Sequence, residues 1–154
     1  MTSELTCGQV ELPDDWEFFS EASILPPARA PLNLPRVGSG KTQVLRPNLV
    51  IKRNKVNLST VDKVADTVMQ QLAKSFAGLK RLGDSAITFE DGTDGRCIKY
   101  SFTGPNGVVL IQEQRLRLDG AVMSALVSTV DSNDEALLES LGRVALSFRP
   151  ASVL

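Results

Sequence analysis

The residues that first suggest chemistry are Gly38-Ser39-Gly40-Lys41-Thr42, because the phosphate loop of nucleotide-binding proteins ends in Gly-Lys-Thr. Such a loop also requires an earlier glycine, a buried strand that leads in and a helix that leads out. Pro35 occupies the position of that glycine, and the sequence from Gln43 to Pro47 cannot continue as a helix. We therefore predict an irregular loop here, with no nucleotide and no other cofactor.

Two short acidic groups are the next candidates for metal binding or acid–base chemistry. They are Asp14, Asp15 and Glu17, and Glu90, Asp91 and Asp94. Calcium loops need ligands at fixed alternating positions and a closing carboxylate, and the second group supplies only part of that pattern. Turn formation explains both groups, since aspartate bonds its own backbone. Histidine, the usual general base and metal ligand, is absent. We predict no catalytic residue and no metal site.

Two basic groups lie on candidate strands. They are Lys52, Arg53 and Lys55, and Arg115 with Arg117, which share one strand face while Gln112 and Gln114 occupy the other. Such groups usually form a solvated face, and no aromatic residues alternate with them to stack nucleic-acid bases. The net charge of -1 gives no strong attraction to nucleic acid or anionic lipid. We predict solvated faces and no nucleic-acid partner.

The elements that would position these residues fit one domain, 1–154, with 42% apolar and 23% charged residues. Alternation and turn residues predict strands at 9–12, 48–56, 79–89, 96–103, 108–118 and 121–130, and a second strand or an irregular edge at 18–25. Apolar spacings of three and four predict one helix from Ser59 or Thr60 to Gly78, and another from Ser132 or Asn133 to Pro150. The Pro- and Gly-rich stretch 26–47 is predicted to be a long loop insertion.

The order of these elements predicts an α+β fold, an antiparallel sheet (a meander) flanked by two main helices. Strand 121–130 is apolar on both of its faces. Two amphipathic helices can cover one face of a sheet, which leaves the second face for a partner or a second copy of the chain. Alternatively, the long loop and the N-terminal strands fold over that second face.

Cysteine usage and the N-terminus bear on location. Cys7 and Cys97 are the only cysteines, too few for a disulfide scaffold, and the N-terminus lacks the basic and apolar regions of a secretion signal. No stretch approaches the roughly 18 apolar residues of a membrane span. We expect reduced thiols, no direct membrane insertion and a cytoplasmic location.

Five short phrases are spread over nearly the whole chain. They are Val10-Glu-Leu-Pro-Asp-Asp-Trp16, Leu49-Val-Ile-Lys-Arg53, Val68-Met-Gln-Gln-Leu72, Ile111-Gln-Glu-Gln-Arg115 and Leu146-Ser-Phe-Arg-Pro150. Together with the order of elements, they resemble the effector-associated (Eag) chaperones of bacterial type VI secretion and their DcrB-like relatives. The resemblance implies a Mog/PsbP-like fold. It also implies a cytoplasmic homodimer whose apolar surface shelters the transmembrane helices of an effector before secretion.

The resemblance assigns partner-binding residues to three elements. They are Ser20, Ala22 and Ile24 in the second strand, Ala73 and Phe76 on the first helix, and Gln112 and Gln114 in the meander. We accordingly expect a non-catalytic chaperone or adaptor that binds an apolar, transmembrane-like segment of a secreted effector. Two alternatives stay open. One is a small-molecule-binding or enzymatic domain that uses loop 26–47 as a lid, and the other is a structural interaction module.

Overall fold

The computed structural model describes residues 2–5, 8–11, 17–20, 23–25, 36–37, 41–42, 47–104 and 107–151. Its strands are β1 (Thr2–Leu5), β2 (Gly8–Glu11), β3 (Glu17–Ser20), β4 (Ser23–Leu25), β5 (Arg36–Val37), β6 (Lys41–Thr42), β7 (Asn48–Lys55), β8 (Lys80–Thr88), β9 (Asp94–Thr103), β10 (Val109–Asp119), β11 (Val122–Asp131) and β12 (Arg149–Pro150). Its helices are α1 (Val61–Ser75) and α2 (Glu135–Leu146). Most of the predicted 26–47 loop, the acidic pair Asp14-Asp15, and Cys7 lie outside the described residues.

Seven strands form one antiparallel sheet in the order β3-β4-β7-β11-β10-β9-β8. Strand β8 pairs with β9, β9 pairs with β10, and β10 pairs with β11. Strand β7 pairs with the other side of β11. The turn between β10 and β11 contains Gly120, whose φ of 62° is a conformation that other residues rarely adopt. The predicted meander and the α+β fold class are confirmed.

The N-terminal strands differ from the prediction in one respect. The stretch expected to form one strand or an irregular edge at 18–25 is a hairpin in which β3 pairs with β4, and β4 joins the large sheet beside β7. A separate small sheet, β1-β2-β12, joins the two ends of the chain. The prediction for 18–25, one strand or an irregular edge, is corrected to two paired strands, because alternation of apolar residues does not show where the chain reverses direction.

The stretch with the Gly-Lys-Thr phrase is also a hairpin. Strand β6, Lys41–Thr42, pairs with β5, Arg36–Val37. A phosphate loop would begin a helix at these two residues, because the helix N-terminus supplies the amides that bind phosphate. Lys41 and Thr42 therefore lie on a strand, which differs both from the helix that a phosphate loop requires and from the predicted irregular loop.

Both helices begin with a capping aspartate or threonine side chain. The Thr60 hydroxyl accepts a hydrogen bond from the backbone N–H of Lys63 at 3.3 Å, as expected for the predicted cap. The Asp134 carboxylate accepts from the N–H of Leu137 at 3.2 Å, so α2 begins one or two residues later than predicted. Neither helix has the length and apolar run that a bilayer crossing would need, and they are the only helices in the described ranges.

The two helices pack on opposite faces of the sheet, which corrects the expectation that both cover one face. On the α2 face, the sheet buries Ile24, Leu49, Ile51, Ile111, Leu126 and Val130. On the α1 face, it buries Ile98, Tyr100, Phe102, Leu116, Met123, Ala125 and Val127. Alternate residues of β11 therefore belong to different cores, and the apolar character of both its faces is explained by one helix on each side.

Substitution of Gly95 on β9 would test how closely β9 packs against β10 and the Phe89 ring. A Cβ at this position would lie 2.5 Å from the Leu116 carbonyl oxygen and 2.6 Å from the Phe89 ring. We predict that Gly95→Ala lowers the free energy of unfolding by about 1–3 kcal/mol, because a backbone carbonyl cannot rotate away. Gly83→Ala on β8 is the matched control, since its nearest neighbour would be 3.9 Å away. Urea unfolding of both variants measures the difference, and equal stabilities would contradict the packing described here.

Candidate functional site

Arg117, predicted to lie on a solvated face, is only 1% exposed on the α2 face of the sheet. Its Nε donates to Asp119 Oδ2 at 2.8 Å and its Nη2 donates to Asp91 Oδ2 at 2.8 Å. Its Nη1 donates to the carbonyl oxygen of Phe148 at 3.0 Å, just beyond the end of α2. The prediction was wrong because Asp91 and Phe148 lie 26 and 31 residues away in sequence, where strand alternation gives no sign of them.

The environment of Arg117 makes it a structural residue. Its guanidinium also lies 4.9 Å from the centre of the Phe89 ring, a cation–π contact. Burial alone would lower the pKa of Arg117, but the hydrogen bonds to Asp119 and Asp91 outweigh burial and raise the pKa. The side chain stays charged and engaged with protein groups, so it holds α2 against the sheet and is not available to bind a substrate. Asp91 also accepts from the N–H of Thr93 at 3.1 Å, which confirms its predicted turn role.

The other basic residues divide between solvent and interior. Lys52 and Lys55 are exposed, as predicted. Arg53 is half-buried, and Arg115 lies beneath α2, where a Cβ on Gly142 would meet its guanidinium. The prediction of a solvated face is therefore confirmed for the lysines and wrong for Arg115, because α2 covers that part of the strand.

Four polar side chains meet at the centre of the α1 face, and we call Tyr100, Gln112, Gln114 and Thr129 the glutamine cluster. The Tyr100 hydroxyl donates to Gln112 Oε1, and Gln112 Nε2 donates to Thr129 Oγ1 at 2.9 Å. Gln114 Nε2 donates to the Tyr100 hydroxyl oxygen at 2.9 Å. Tyr100, Gln112 and Thr129 stand directly opposite one another on β9, β10 and β11, so the pairing register itself assembles the cluster.

Tyr100 is the most deeply buried member of the glutamine cluster, with 0% exposure. Burial raises the pKa of Tyr100 to about 12, although the hydrogen bond from Gln114 acts in the lowering direction. A buried hydroxyl needs hydrogen-bond partners, and the two amides supply an acceptor and a donor. Tyr100 therefore remains a neutral donor that fixes the orientation of the Gln112 amide.

Phe76, at the C-terminal cap of α1, adds an aromatic margin to the glutamine cluster. Its ring stacks on Phe102 with centroids 4.2 Å apart, and its centroid is 6.5 Å from that of Tyr100. The structure thus brings three of the predicted partner-binding residues, Phe76, Gln112 and Gln114, around Tyr100. Ala73 is exposed on the preceding turn of α1.

The predicted second-strand residues do not join this group. Ile24 on β4 is 0% exposed and belongs to the core of the α2 face, opposite Leu49. Ser20 lies at the end of β3 and pairs with Ser23. Ala22 lies outside the described residues. Ile24 cannot share a face with the glutamines, because its partner Leu49 points to the α2 side.

Sequence reasoning missed Tyr100 and Thr129 as members of the site. A signal was present, since Ile98, Tyr100 and Phe102 alternate along β9 and had to share one face. The register that brings Tyr100 opposite Gln112 depends on the β9–β10 turn, and a shift of one residue would turn every side chain of a strand to the other face.

The α1 face extends beyond the helix on the side of β7. Helix α1 packs on β9 and β10, whereas Val127 on β11 stands opposite Val50 on β7, and Val50 stands opposite Ser23 on β4. Val50 is half-buried and the neighbouring Lys52 is exposed. We call Val50, Lys52 and Val127 the β7–β11 strip. It combines the half-buried Val50, the buried Val127 and the exposed Lys52 next to the glutamine cluster.

A seven-stranded antiparallel sheet with one helix on each face defines an α+β sandwich of the PsbP-like type. Solved structures with this fold include PA94 of Pseudomonas aeruginosa, a protein of unknown function, with 16% identity, a TM-score of 0.62, and coverage of 99% of this chain and 98% of that chain. The cyanobacterial PsbP (CyanoP) of Synechocystis sp. PCC 6803 has 13% identity and a TM-score of 0.59 over 98% and 92% of the two chains.

A third similar structure is LpqN of Mycobacterium tuberculosis, which is involved in cell envelope biogenesis. It has 20% identity and a TM-score of 0.61, over 88% of this chain and 77% of that chain. No family model and no curated protein matches the sequence. At these identities the similarity shows the fold, so the PsbP-like fold implied by the sequence resemblance is confirmed.

The pairing of Asp91 with Arg117 predicts a pH dependence of stability. Burial alone would raise the pKa of Asp91, but hydrogen bonds from Arg117 and Thr93 outweigh burial and lower it below the ordinary 3.8. A lowered carboxylate pKa stabilises the fold above the unfolded-state value, and this contribution is lost as the pH falls through the folded-state value. We predict that Asp91→Asn weakens the loss of stability below about pH 4, measured by urea unfolding. Asp94→Asn on the neighbouring strand is the control, and an equal effect there would refute the assignment.

The chain has a single tyrosine, so the absorbance change of phenolate formation reports Tyr100 alone. We predict a titration midpoint of about 12 in the folded protein, against about 10 in the urea-unfolded chain. Stability should therefore decrease as the pH rises between these values, because only the unfolded chain releases the proton there. Gln114→Leu removes the bond that lowers the pKa and should raise the midpoint, whereas Gln70→Leu on the exposed side of α1 should not. A folded-state midpoint near 10 would mean that Tyr100 is solvated.

Proposed function

We propose that this chain is a non-catalytic chaperone or adaptor that binds an apolar, transmembrane-like segment of a secreted effector protein, as a homodimer in the cytoplasm. The observation that carries the proposal is the position of the glutamine cluster beside the β7–β11 strip. The half-buried Gln112 and Val50 lie on the same face of the sheet, and the main strand contacts of α1 are with β9 and β10. The sequence resemblance to effector-associated chaperones supports the same function.

The chemistry of this face suits an apolar helix. Valine side chains of the strip offer apolar contact, and burying apolar area releases about 25 cal/mol per Å². The glutamine side chains carry no charge, so a hydrophobic segment approaching them does not have to desolvate an ion. The half-buried Gln112 amide can still donate to or accept from an isolated polar group of the segment. Apolar helices that lie in grooves are a common mode of peptide recognition.

The ionisable groups in the described interior support a non-catalytic role. A phenol with a pKa of about 12 neither gains nor loses a proton near neutral pH, which applies to Tyr100. Burial raises the pKa of the Cys97 thiol, although Arg115 acts in the lowering direction, so the reactive thiolate is disfavoured. Arg117 is occupied by two carboxylates and a carbonyl.

A second candidate function is binding of a small molecule. An open cleft of about 330 Å³ lies between the start of α1 and the β10–β11 turn, at the lower end of ligand-pocket volumes. It is lined by Val56, Asn57, Leu58, Ser59, Lys63, Gly120 and Ala121. The cleft is wide open to solvent and lies beyond the ends of β7, β10 and β11, so the glutamine face remains the favoured site.

Site-directed photo-crosslinking tests where a partner binds. A benzophenone amino acid is introduced at Lys52, in the strip, and at Ala86, exposed on β8 at the opposite margin of the α1 face. We predict that illumination of expressing cells gives an adduct at Lys52 and none at Ala86. Mass spectrometry should map the adduct to an apolar stretch of about 18 residues or more in the partner. Crosslinks to polar segments only, or equal crosslinking at both positions, would contradict the chaperone proposal.

A charged substitution in the strip supplies the matched loss-of-function test. Val50→Arg places a charge on the apolar surface and should abolish recovery of the partner, whereas Thr88→Arg on the exposed β8 edge should not. Circular dichroism melting confirms that both variants are folded. Light scattering of the purified complex reports whether two copies of the chain are present, and a monomer bound to partner would refute the homodimer alone.

A further inference from the structure

The sheet surface beneath α2 carries an ion pair in which several polar atoms lack a hydrogen bond. Glu113 and Arg115 both project from β10 to the α2 face, and each side chain is only 13% exposed. Arg115 Nη1 lies 2.7 Å from Glu113 Oε2. The two atoms are close, but they are not aligned as a hydrogen bond. A covered ion pair is costly unless further hydrogen bonds satisfy its remaining polar atoms.

Several polar atoms around this pair lack a hydrogen-bond partner among the described residues. They are Arg115 Nε, Arg115 Nη1, Glu113 Oε2 and Ser128 Oγ. Ser128 is 0% exposed and stands directly opposite Glu113 across β10 and β11, so their Cβ atoms are about 5 Å apart. Buried polar groups are almost always paired with protein or ordered water. The Arg115 donors and the Glu113 acceptor lie next to each other without hydrogen bonds, which indicates a bound molecule that accepts from the first and donates to the second.

Helix α2 approaches the ion pair most closely at Gly142. A Cβ at Gly142 would lie 2.5 Å from Arg115 Nη2, so the helix backbone rests directly on the guanidinium. No side chain at this helix position can reach down to satisfy the unpaired atoms. We call Glu113, Arg115, Ser128 and Gly142 the α2 seam.

The charges of the α2 seam decide which ligand fits. An anion that bonded to Arg115 would lie against the Glu113 carboxylate, and a cation that bonded to Glu113 would lie against the guanidinium. The unpaired groups include N–H donors, a carboxylate acceptor and a hydroxyl that can do both. A small neutral molecule that donates and accepts satisfies all of them. Water has this chemistry, and internal waters typically make about three hydrogen bonds to such groups.

We infer that at least one ordered water molecule is bound in the α2 seam. It accepts from Arg115 Nε or Nη1, donates to Glu113 Oε2 and uses Ser128 as a further partner. This water makes the docking of α2 a partly hydrated contact at its centre, beside the apolar core formed by Leu138 and Leu141. The inference does not depend on the proposed function, since the seam lies on the opposite face from the glutamine cluster.

Water–amide Overhauser spectroscopy of the ¹⁵N-labelled full chain tests this inference. A water bound for longer than nanoseconds gives a cross-peak whose sign differs from that of exposed, rapidly exchanging water. We expect bound-water cross-peaks at the backbone amides of Gly142 and Ser128. Ser85, exposed on the same sheet face outside the helix, serves as the control and should show none. Absence of bound-water cross-peaks at Gly142 and Ser128 would overturn the inference.

Variants of the charge pair provide the second arm of the test. Glu113→Leu together with Arg115→Leu removes the polar atoms, so the cross-peaks should disappear while the fold is kept. Glu113→Gln retains an acceptor oxygen and should retain the cross-peaks. If the double variant fails to fold, the wild-type and Glu113→Gln spectra still decide the matter. Cross-peaks that persist in a folded double variant would place the water elsewhere and refute the assignment to the pair.

Discussion

Arg117 can occupy the interior only because Asp91 and Asp119 balance its charge and the Phe148 carbonyl takes a further donor. Removing a carboxylate would leave a buried charge partly unpaired, which costs far more than a surface ion pair contributes. This one side chain connects three parts of the chain: the β8–β9 turn, the C-terminal end of β10 and the end of α2. Gly95 belongs to the same constraint, since only a hydrogen fits beneath the Phe89 ring that lies over the guanidinium.

The buried polar groups on the two faces of the sheet are stabilised by different interactions. The α2 face holds formal charges, which demand counter-charges and, at Glu113 and Arg115, further hydrogen bonds. The glutamine cluster on the α1 face holds a hydroxyl-and-amide network whose members satisfy one another. The same face also carries an ion pair between Arg96 on β9 and Asp84 on β8. Charges beneath α2 are thus committed to structure. The neutral groups of the glutamine cluster lie beside the half-buried Val50, and the proposed recognition of an apolar segment is placed there for that reason.

The sequence was a good guide to elements and a poor guide to contacts. The boundaries of α1 and of β7 to β11 agree with the predictions to within two residues, since turn glycines, capping residues and apolar periodicity all act locally. Gln112 and Gln114 were placed on one face correctly, and Phe76 joins them. Ile24 was misplaced, because the β3–β4 hairpin changes which residues share a face. Tyr100 and Thr129 escaped notice because register, a non-local property, makes them neighbours of the glutamines.

The sequence by itself determined that this chain forms an antiparallel α+β domain with two amphipathic helices. Local propensities and hydrophobic periodicity are sufficient for that conclusion. Only the tertiary structure decided that the helices lie on opposite faces, that Arg115 and Arg117 are interior, and that a tyrosine orders the glutamine cluster. These features depend on which partners surround a charged or polar group after folding. The free energy of burying such a group is set by partners that come from distant parts of the chain.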